Sequence, residues 1–297
     1  MALTAAATPT RARSRPMVIG LALAGLALVV RLPTWFSPRH VGYDDGGYGA
    51  TVLAMREGAE PFRDLFSAQG PLHLPILFVG DLLGFRTLNA PRVAPVVAGI
   101  VVTLAVWGAG RKLGTAYGAT LAAVLTATTG TMLWTTGPIT GDGIAVAFAA
   151  TAAFAALAYR DRPGPGWAVA TGLAMGAALL VKVLVIPVAL PVGWWLWSHR
   201  RVRDFAAAVA ASVALGVVAT VPWGFGNVYD QSVRYHQTSE VLYGPSDQAW
   251  KLLTTLLSRD LPLVAALALG AVAAIVAGRR RIDADTVAVL AWLGAGT

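Results

Sequence analysis

Apolar residues run through this chain in blocks of roughly membrane-spanning length. The blocks lie near 17–32, 71–85, 91–110, 117–136, 143–159, 167–185, 186–198, 205–223, 252–278 and 285–297. Some approach the roughly 20 residues that a helix needs to cross a hydrocarbon core; others are shorter. They are rich in Ala, Leu, Val and Gly and lack the alternation of a barrel strand. A spanning segment must satisfy its own backbone hydrogen bonds, so such blocks specify helices. Composition agrees, with 56% hydrophobic and 13% charged residues, against about 25% charged in a soluble domain. A mean hydropathy of +0.64 leaves too little polar surface to cover a soluble core. The expected fold is all-α: a polytopic transmembrane helical bundle.

Basic clusters set the expected orientation. They are Arg11/Arg13/Arg15, Arg111/Lys112, Arg160/Arg162, Arg200/Arg201/Arg203 and Arg279/Arg280/Arg281. Basic loops stay on the cytoplasmic side, so an even number of crossings must separate each pair. Two blocks separate each pair from Lys112 to Arg279, but three lie between Arg15 and Arg111. The block 71–85 is the one that does not cross: it is short, contains Pro75, and carries Asp81 near Arg86. It reads as an interfacial element on the outside. The layout is then a cytoplasmic tail over 1–16 and one polytopic domain over 17–297. Its outer segments fall at about 33–90, 137–142 and 224–251, with a tight outer turn near 182–187.

The N-terminal stretch mimics a signal peptide, but no small-x-small cleavage site precedes Arg31-Leu32-Pro33, so it reads as a retained signal anchor. The last block ends at Gly294-Ala295-Gly296-Thr297 before completing a span, which reads as a truncated chain or the first part of a longer one. The Ala/Gly/Arg-rich composition suits a high-GC bacterium and hence a bacterial plasma membrane. The net charge of +8 is an orientation signal. No basic, aromatic-interleaved polar surface is present, so no nucleic-acid partner is expected. With no cysteine, thiol chemistry and disulfides are excluded.

Polar residues concentrate in the first outer segment. It reads Tyr43-Asp44-Asp45-Gly46-Gly47-Tyr48, continues to Met55-Arg56-Glu57-Gly58, and passes through Pro61-Phe62-Arg63-Asp64 to Gln69-Gly70-Pro71-Leu72-His73. Tyr48, Val52 and Met55 share a helical face, and Gly58 and Pro61 end the helix. It spans about a dozen residues, too few to cross, so it lies in the interface. One of the two aspartates can cap it. Two adjacent carboxylates at a membrane surface also invite a chemical role.

This order of motifs resembles the first outer loop of polytopic glycosyltransferases of the GT-C class. The nearest groups are protein O-mannosyltransferase-like and aminoarabinose-transferase-like proteins. Their usual pattern is Asp-Glu with a Tyr three residues later, Gly-x-x-Pro-Tyr-x-Asp, and His-Pro-Pro-Leu. Here Asp44-Asp45, Tyr48, Gly58 to Asp64, and Gln69 to Leu72 stand at those places, with weaker echoes at Asp142, Lys182 and 229–237. Two departures matter. Asp45 replaces a Glu and shortens its reach, and Gln69 replaces a His, for which His73 is a substitute four residues on.

The resemblance implies transfer of a sugar from a polyprenyl-phosphate donor to a hydroxyl on a lipid, glycan or protein acceptor at the outer face, with membrane lipid around the site. Such chemistry needs a base for the acceptor and positive charge for the phosphate leaving group. Asp44 stands at the first acidic position and is the expected base. Asp45 has three readings: it orients the acceptor, binds a metal, or is solvated. Asp142, in Thr140-Gly141-Asp142-Gly143, either caps a helix or faces substrate; a divalent cation held by Asp44 and Asp142 is an open option. Lys182 sits among Leu180, Val181, Val183 and Leu184, about 15 residues or roughly 22 Å up a helix from Trp167. An intramembrane Lys is a functional hypothesis, with snorkelling as its alternative. Tyr48, Arg63, Gln69, His73, Arg234 and His236 complete the expected substrate contacts. Tyr229, Tyr235 and Tyr243 offer the plainer reading of the third outer segment as an interfacial helix. Trp194, Trp195 and Trp197 read as an inner aromatic belt. A transporter would place polar residues at the midplane; that class, and a non-catalytic truncated homologue, are the alternatives.

Overall fold

The computed structural model describes residues 11–37 and 42–238, with scattered positions from 250 to 269. Tyr243, Arg279 to Arg281 and the block 285–297 lie outside the described residues. All regular structure among the described residues is helical, apart from one isolated bridge between Pro61 and Leu65. The helices are α1 (Arg11–Val29), α2 (Leu32–Trp35), α3 (Tyr43–Arg56), α4 (His73–Leu83), α5 (Val93–Leu113), α6 (Ala116–Thr128) and α7 (Gly130–Thr136). They continue as α8 (Gly141–Asp161), α9 (Pro165–Val181), α10 (Ala189–Trp197), α11 (Val202–Thr220), α12 (Phe225–Tyr229) and α13 (Tyr235–Thr238).

Among the described residues, four stretches are long and apolar enough to cross a membrane: Arg15–Trp35, Ala90–Leu113, Gly141–Asp161 and Val202–Trp223. The chain is a multi-pass membrane protein. Two expected spans are broken. The block 117–136 divides into α6 and α7 at Thr129, whose ψ of 144° is extended. The block 167–185 ends its α-helix at Val181; Lys182 is extended, and a 3-10 turn over Val183–Val188 leads into α10. Lys182 is therefore not inside a helix. It follows the last turn of α9, where a cation complements the helix dipole.

Helix α8 packs against both α5 and α9, and α9 packs on α11. Small residues let these backbones approach, as expected between helices in lipid. Gly172 of α9 faces Ala208 of α11, and one turn on Gly176 faces Ser212. A Cβ at Gly172 would stand 2.0 Å from the Ala208 carbonyl oxygen. Trp195 is buried in the adjoining core with Tyr159, Met175 and Leu196, whereas Trp194 and Trp197 are exposed. The expected belt of three tryptophans is thus a pair, because alternate helical positions face opposite ways.

The bundle has two polar ends. At one, Lys112 pairs with Asp161 at 2.9 Å, Arg160 donates to the Lys112 carbonyl, His199 contacts the Arg160 carbonyl, and Tyr159 donates to Asp204. This end gathers the basic clusters around 111, 160 and 200. Helix α4 stays at the other end. It starts beside Gly141 and finishes with Gly84 against Ala90, before α5 begins.

Gly172→Val should lower unfolding stability by about 2 kcal/mol or more through overpacking. Gly25→Ala, with nothing within 4 Å of the new methyl, should be neutral or slightly stabilising because Ala favours helix. Thermal or denaturant unfolding of the detergent-solubilised protein checks both.

Candidate active site

The segment over 42–72 is anchored through its backbone and two buried ion pairs. Asp44 and Asp45 do not cap α3; the N-cap is Gly42, and both aspartates lie in the first turn, where negative charge suits the helix dipole. They then diverge. Asp44 is exposed, and Asp45 is fully buried. One Asp45 oxygen takes Arg92 Nη2 at 2.6 Å; the other accepts the Ile139 N–H at 2.8 Å. Arg92 also donates to the carbonyls of Thr34 and Ser37, each at 2.8 Å. One ion pair thereby joins the end of α2, the start of α3, the start of α5 and the 137–140 turn. A second pair, Arg56 with buried Asp81, is bidentate at 2.6 and 2.9 Å and fixes α3 to α4.

Beyond α3 the chain folds back over Gly58 to Leu72. The N–H groups of Gly70 and Leu72 donate to Val181 and Leu180 carbonyls at 3.1 Å each, satisfying acceptors that the end of α9 leaves open. A side chain at Gly70 would meet the Leu180 carbonyl oxygen at 2.1 Å. The segment over 225–238 clasps this loop. It is α12, a π turn over Asp230–Arg234, and α13, where a single amphipathic helix was expected. Gln231 bonds the Ser67 N–H and the Phe62 carbonyl, each at 3.0 Å. Ser232 donates to the Gln69 carbonyl at 2.6 Å, and His236 contacts that of Ala68 at 2.8 Å. Phe66 packs edge-on against Tyr235.

A cavity of about 180 Å³ opens between the head of α3 and the 134–142 stretch, lined by Asp44, Asp45, Trp134, Thr135, Thr140 and Asp142 among others. Asp142 follows the N-cap Thr140 and does not cap α8; its carboxylate accepts from Lys182 Nζ at 2.6 Å. Lys182 is 19% exposed and Asp142 40%. Tyr48 bonds the Gln69 side chain, and its ring meets His73 edge-on at 4.5 Å. Burial, with Asp44 and Asp142 nearby, pushes the Tyr48 phenol up to about 12. His73 is fully buried, and neither ring nitrogen has a hydrogen-bond partner among the described residues. Burial, with the Lys182 charge close, pushes its imidazole down to about 3.

The structure thus brings Asp44, Asp142, Lys182, Tyr48, Gln69 and His73 to one place, from α3, the 57–72 loop, α4, α8 and the end of α9. Arg63, Arg234 and His236 do not line the Asp44 cavity. Arg63 pairs with Glu60, donates to the Pro222 carbonyl at 3.0 Å, and borders a separate apolar groove with Met55, Pro75, Phe78 and Trp223. Arg234 is 67% exposed beside Asp230 at 3.5 Å. Among the described residues no three His, Cys, Asp or Glu side chains converge as a metal site; a cation would have at most the carboxylates of Asp44 and Asp142, and the latter is shared with Lys182. Sequence reasoning missed Arg92 as the partner of Asp45. The available signal was a lone Arg at the head of an apolar block. It also missed Gln231 and Ser232, whose backbone contacts leave no local pattern.

The fold and the candidate site define a multi-pass helical membrane protein with carboxylates and a lysine gathered together. Residues 72–223, about half of the chain, match the family model described as dolichyl-phosphate-mannose-protein mannosyltransferase, and the chain belongs to that family. Membership implies a membrane glycosyltransferase that draws on a lipid-phosphate sugar. The matched span holds His73, Arg92, Asp142 and Lys182, and excludes Asp44, Asp45, Tyr48, Arg234 and His236. No curated protein and no solved structure matches the chain.

Asp45→Ala strands the Arg92 charge in a buried site and should cost about 3–5 kcal/mol. Asp44→Ala, at an exposed position, should stay within about 0.5 kcal/mol. Unfolding of the two purified variants separates these roles. His73 gives a pH signature. The folded ring stays neutral to about 3, while the unfolded chain takes up a proton below about 6.5. Stability should therefore fall as pH drops through 6.5. Between pH 7 and 5 the wild type should lose about 2 kcal/mol more than His73→Gln, read from melts at the two pH values.

Proposed function

We propose that the protein transfers a glycosyl group from a polyprenyl-phosphate donor to an acceptor hydroxyl on a lipid, glycan or protein, on the outer face of a bacterial plasma membrane. One observation carries this reading. Asp44, the exposed carboxylate of the first outer segment, shares a cavity with Asp142, whose partner is the enclosed cation Lys182. A base and a phosphate-binding charge thus stand at one opening. The basic clusters at the far end support an outward-facing site and a cytoplasmic N-terminus, since basic loops remain inside. Charge collects at the two ends of the bundle, where a transporter would hold it near the midplane.

Asp44 takes the proton of the acceptor hydroxyl, and the oxygen attacks the anomeric carbon. The bond from that carbon to the phosphate oxygen breaks, its electrons remain with the phosphate, and Lys182 stabilises the growing charge. Asp45 is assigned a positioning role: its oxygens hold Arg92 and Ile139, which sets the first turn of α3 and so aims Asp44. Tyr48, kept protonated by its high pKa and oriented by Gln69, donates to a sugar oxygen. Arg63, Arg234 and His236 stand at the rim, where they meet the polar parts of donor or acceptor.

The purified full-length protein in lipid vesicles, given labelled polyprenyl-phosphate sugar and an acceptor, should release polyprenyl phosphate. Asp44→Asn should lower that turnover at least 100-fold, in line with the roughly 10²–10⁴ that a positioned base contributes. Wild-type turnover in Asp44→Asn would remove the base assignment.

A further inference from the structure

The start of α8 is a second polar locus inside the site. Its N-cap Thr140 makes no side-chain capping bond, and the first-turn N–H groups of a helix have no partner within it. Such an end carries partial positive charge and receives anions. Three side chains surround it. A Cβ built on Gly141 would lie 3.5 Å from His73 Cδ2, 3.6 Å from His73 Nε2 and 3.6 Å from Gln69 Oε1. Glycine there leaves a shallow opening bounded by imidazole and amide. His73 is fully buried and its ring nitrogens have no partner among the described residues, so a donor beside the opening lacks an acceptor. Lys182 brings a full positive charge to the same turn and holds the Asp142 carboxylate at 2.6 Å. Helix end, orphaned imidazole and ammonium are all suited to an anion, and the protein's own carboxylate is already seated there.

We infer that the first turn of α8, His73 and Lys182 form a phosphate subsite, and that Asp142 is a resident counter-anion which an incoming phosphate displaces from Lys182. The inference deepens the transferase reading and rests on it. A donor phosphodiester carries one negative charge, and the polyprenyl monophosphate left after transfer carries up to two, since its second proton dissociates near pH 6. The subsite therefore gains most when the bond to the sugar breaks, which is the differential binding that catalysis requires. Asp142, released from Lys182, remains at the cavity that holds Asp44. Displacement in place of an empty pocket also keeps Lys182 paired before substrate arrives, where an isolated enclosed ammonium would be costly.

Binding of polyprenyl monophosphate to the full chain in nanodiscs, with the uncharged polyprenol as control, tests this without any turnover. Asp142→Asn removes the competitor and should tighten monophosphate binding at least fivefold. Lys182→Gln should weaken it at least tenfold, and adding Asp142→Asn to Lys182→Gln should then tighten nothing. Gly141→Ala places a methyl at ordinary contact distance, so the fold should be kept while affinity falls at least fivefold. Millimolar inorganic phosphate that competes in the wild type but not in Lys182→Gln would show that the anion alone is recognised. Competition confined to polyprenyl monophosphate would show that the lipid is needed as well. Unchanged or weaker binding in Asp142→Asn, or polyprenol binding as tight as the monophosphate, would overturn the subsite. Sugar release with unchanged affinity in Asp142→Asn would leave the transferase reading in place and remove only the subsite. Tightened affinity with no sugar release from any polyprenyl-phosphate sugar would do the opposite.

Discussion

The site is built around the buried pair of Arg92 and Asp45. Neither side chain has more than 3% of its surface exposed, and an ion pair so enclosed is tolerable only when its remaining hydrogen-bonding groups are filled. They are filled by the ends of other elements: the Thr34 and Ser37 carbonyls and the Ile139 N–H. These demands lock the chain after α2, the head of α3 and the turn before α8 into one arrangement. The exposed neighbour Asp44 inherits its placement from this lock. Adjacent aspartates thus divide their labour by burial, one bound inward and one turned to the cavity.

The two ends of the bundle differ in what their charges accomplish. Around Lys112, Asp161, Arg160 and Asp204 the contacts join helix ends to one another. Around Asp142 and Lys182 they enclose a cavity. Between them the helices are held largely by the close packing of alanine and glycine faces. The middle of the molecule is a spacer whose dimensions set how far the site stands from the basic end.

Much of this was legible before any coordinates. Long apolar blocks specified the helices, and the basic clusters at 111, 160 and 200 do contact one another at one end of the bundle. The weak block at 71–85 was read as non-crossing, and α4 is a helix of only 11 residues. The order of Asp44, Tyr48, Gln69 and His73 pointed to one site. What failed were statements about helix termini. Capping was one of the two readings for the Asp44-Asp45 pair and for Asp142, yet Gly42 and Thr140 take those places, and Asp45 and Asp142 are drawn to Arg92 and Lys182 across the fold. Lys182 was read about 22 Å up the helix from Trp167, at the edge of a tight turn near 182–187, and the α-helix does end there, at Val181; what the sequence did not signal is that the Gly70 and Leu72 N–H groups bond the last α9 carbonyls, a long-range contact. Arg92 and Gln231 escaped notice for the same reason.

The clasp of the 225–238 segment on the 62–70 loop is made almost wholly to main-chain atoms. Gln231, Ser232 and His236 bind the backbone of Phe62, Ser67, Ala68 and Gln69. Main-chain groups are the same whatever side chain they carry. The loop is therefore gripped by its path and not by its identity. Side chains such as Ala68 can change without loosening the grip, so this loop is free to vary in sequence while the stretch of chain that carries Gln69 stays in place.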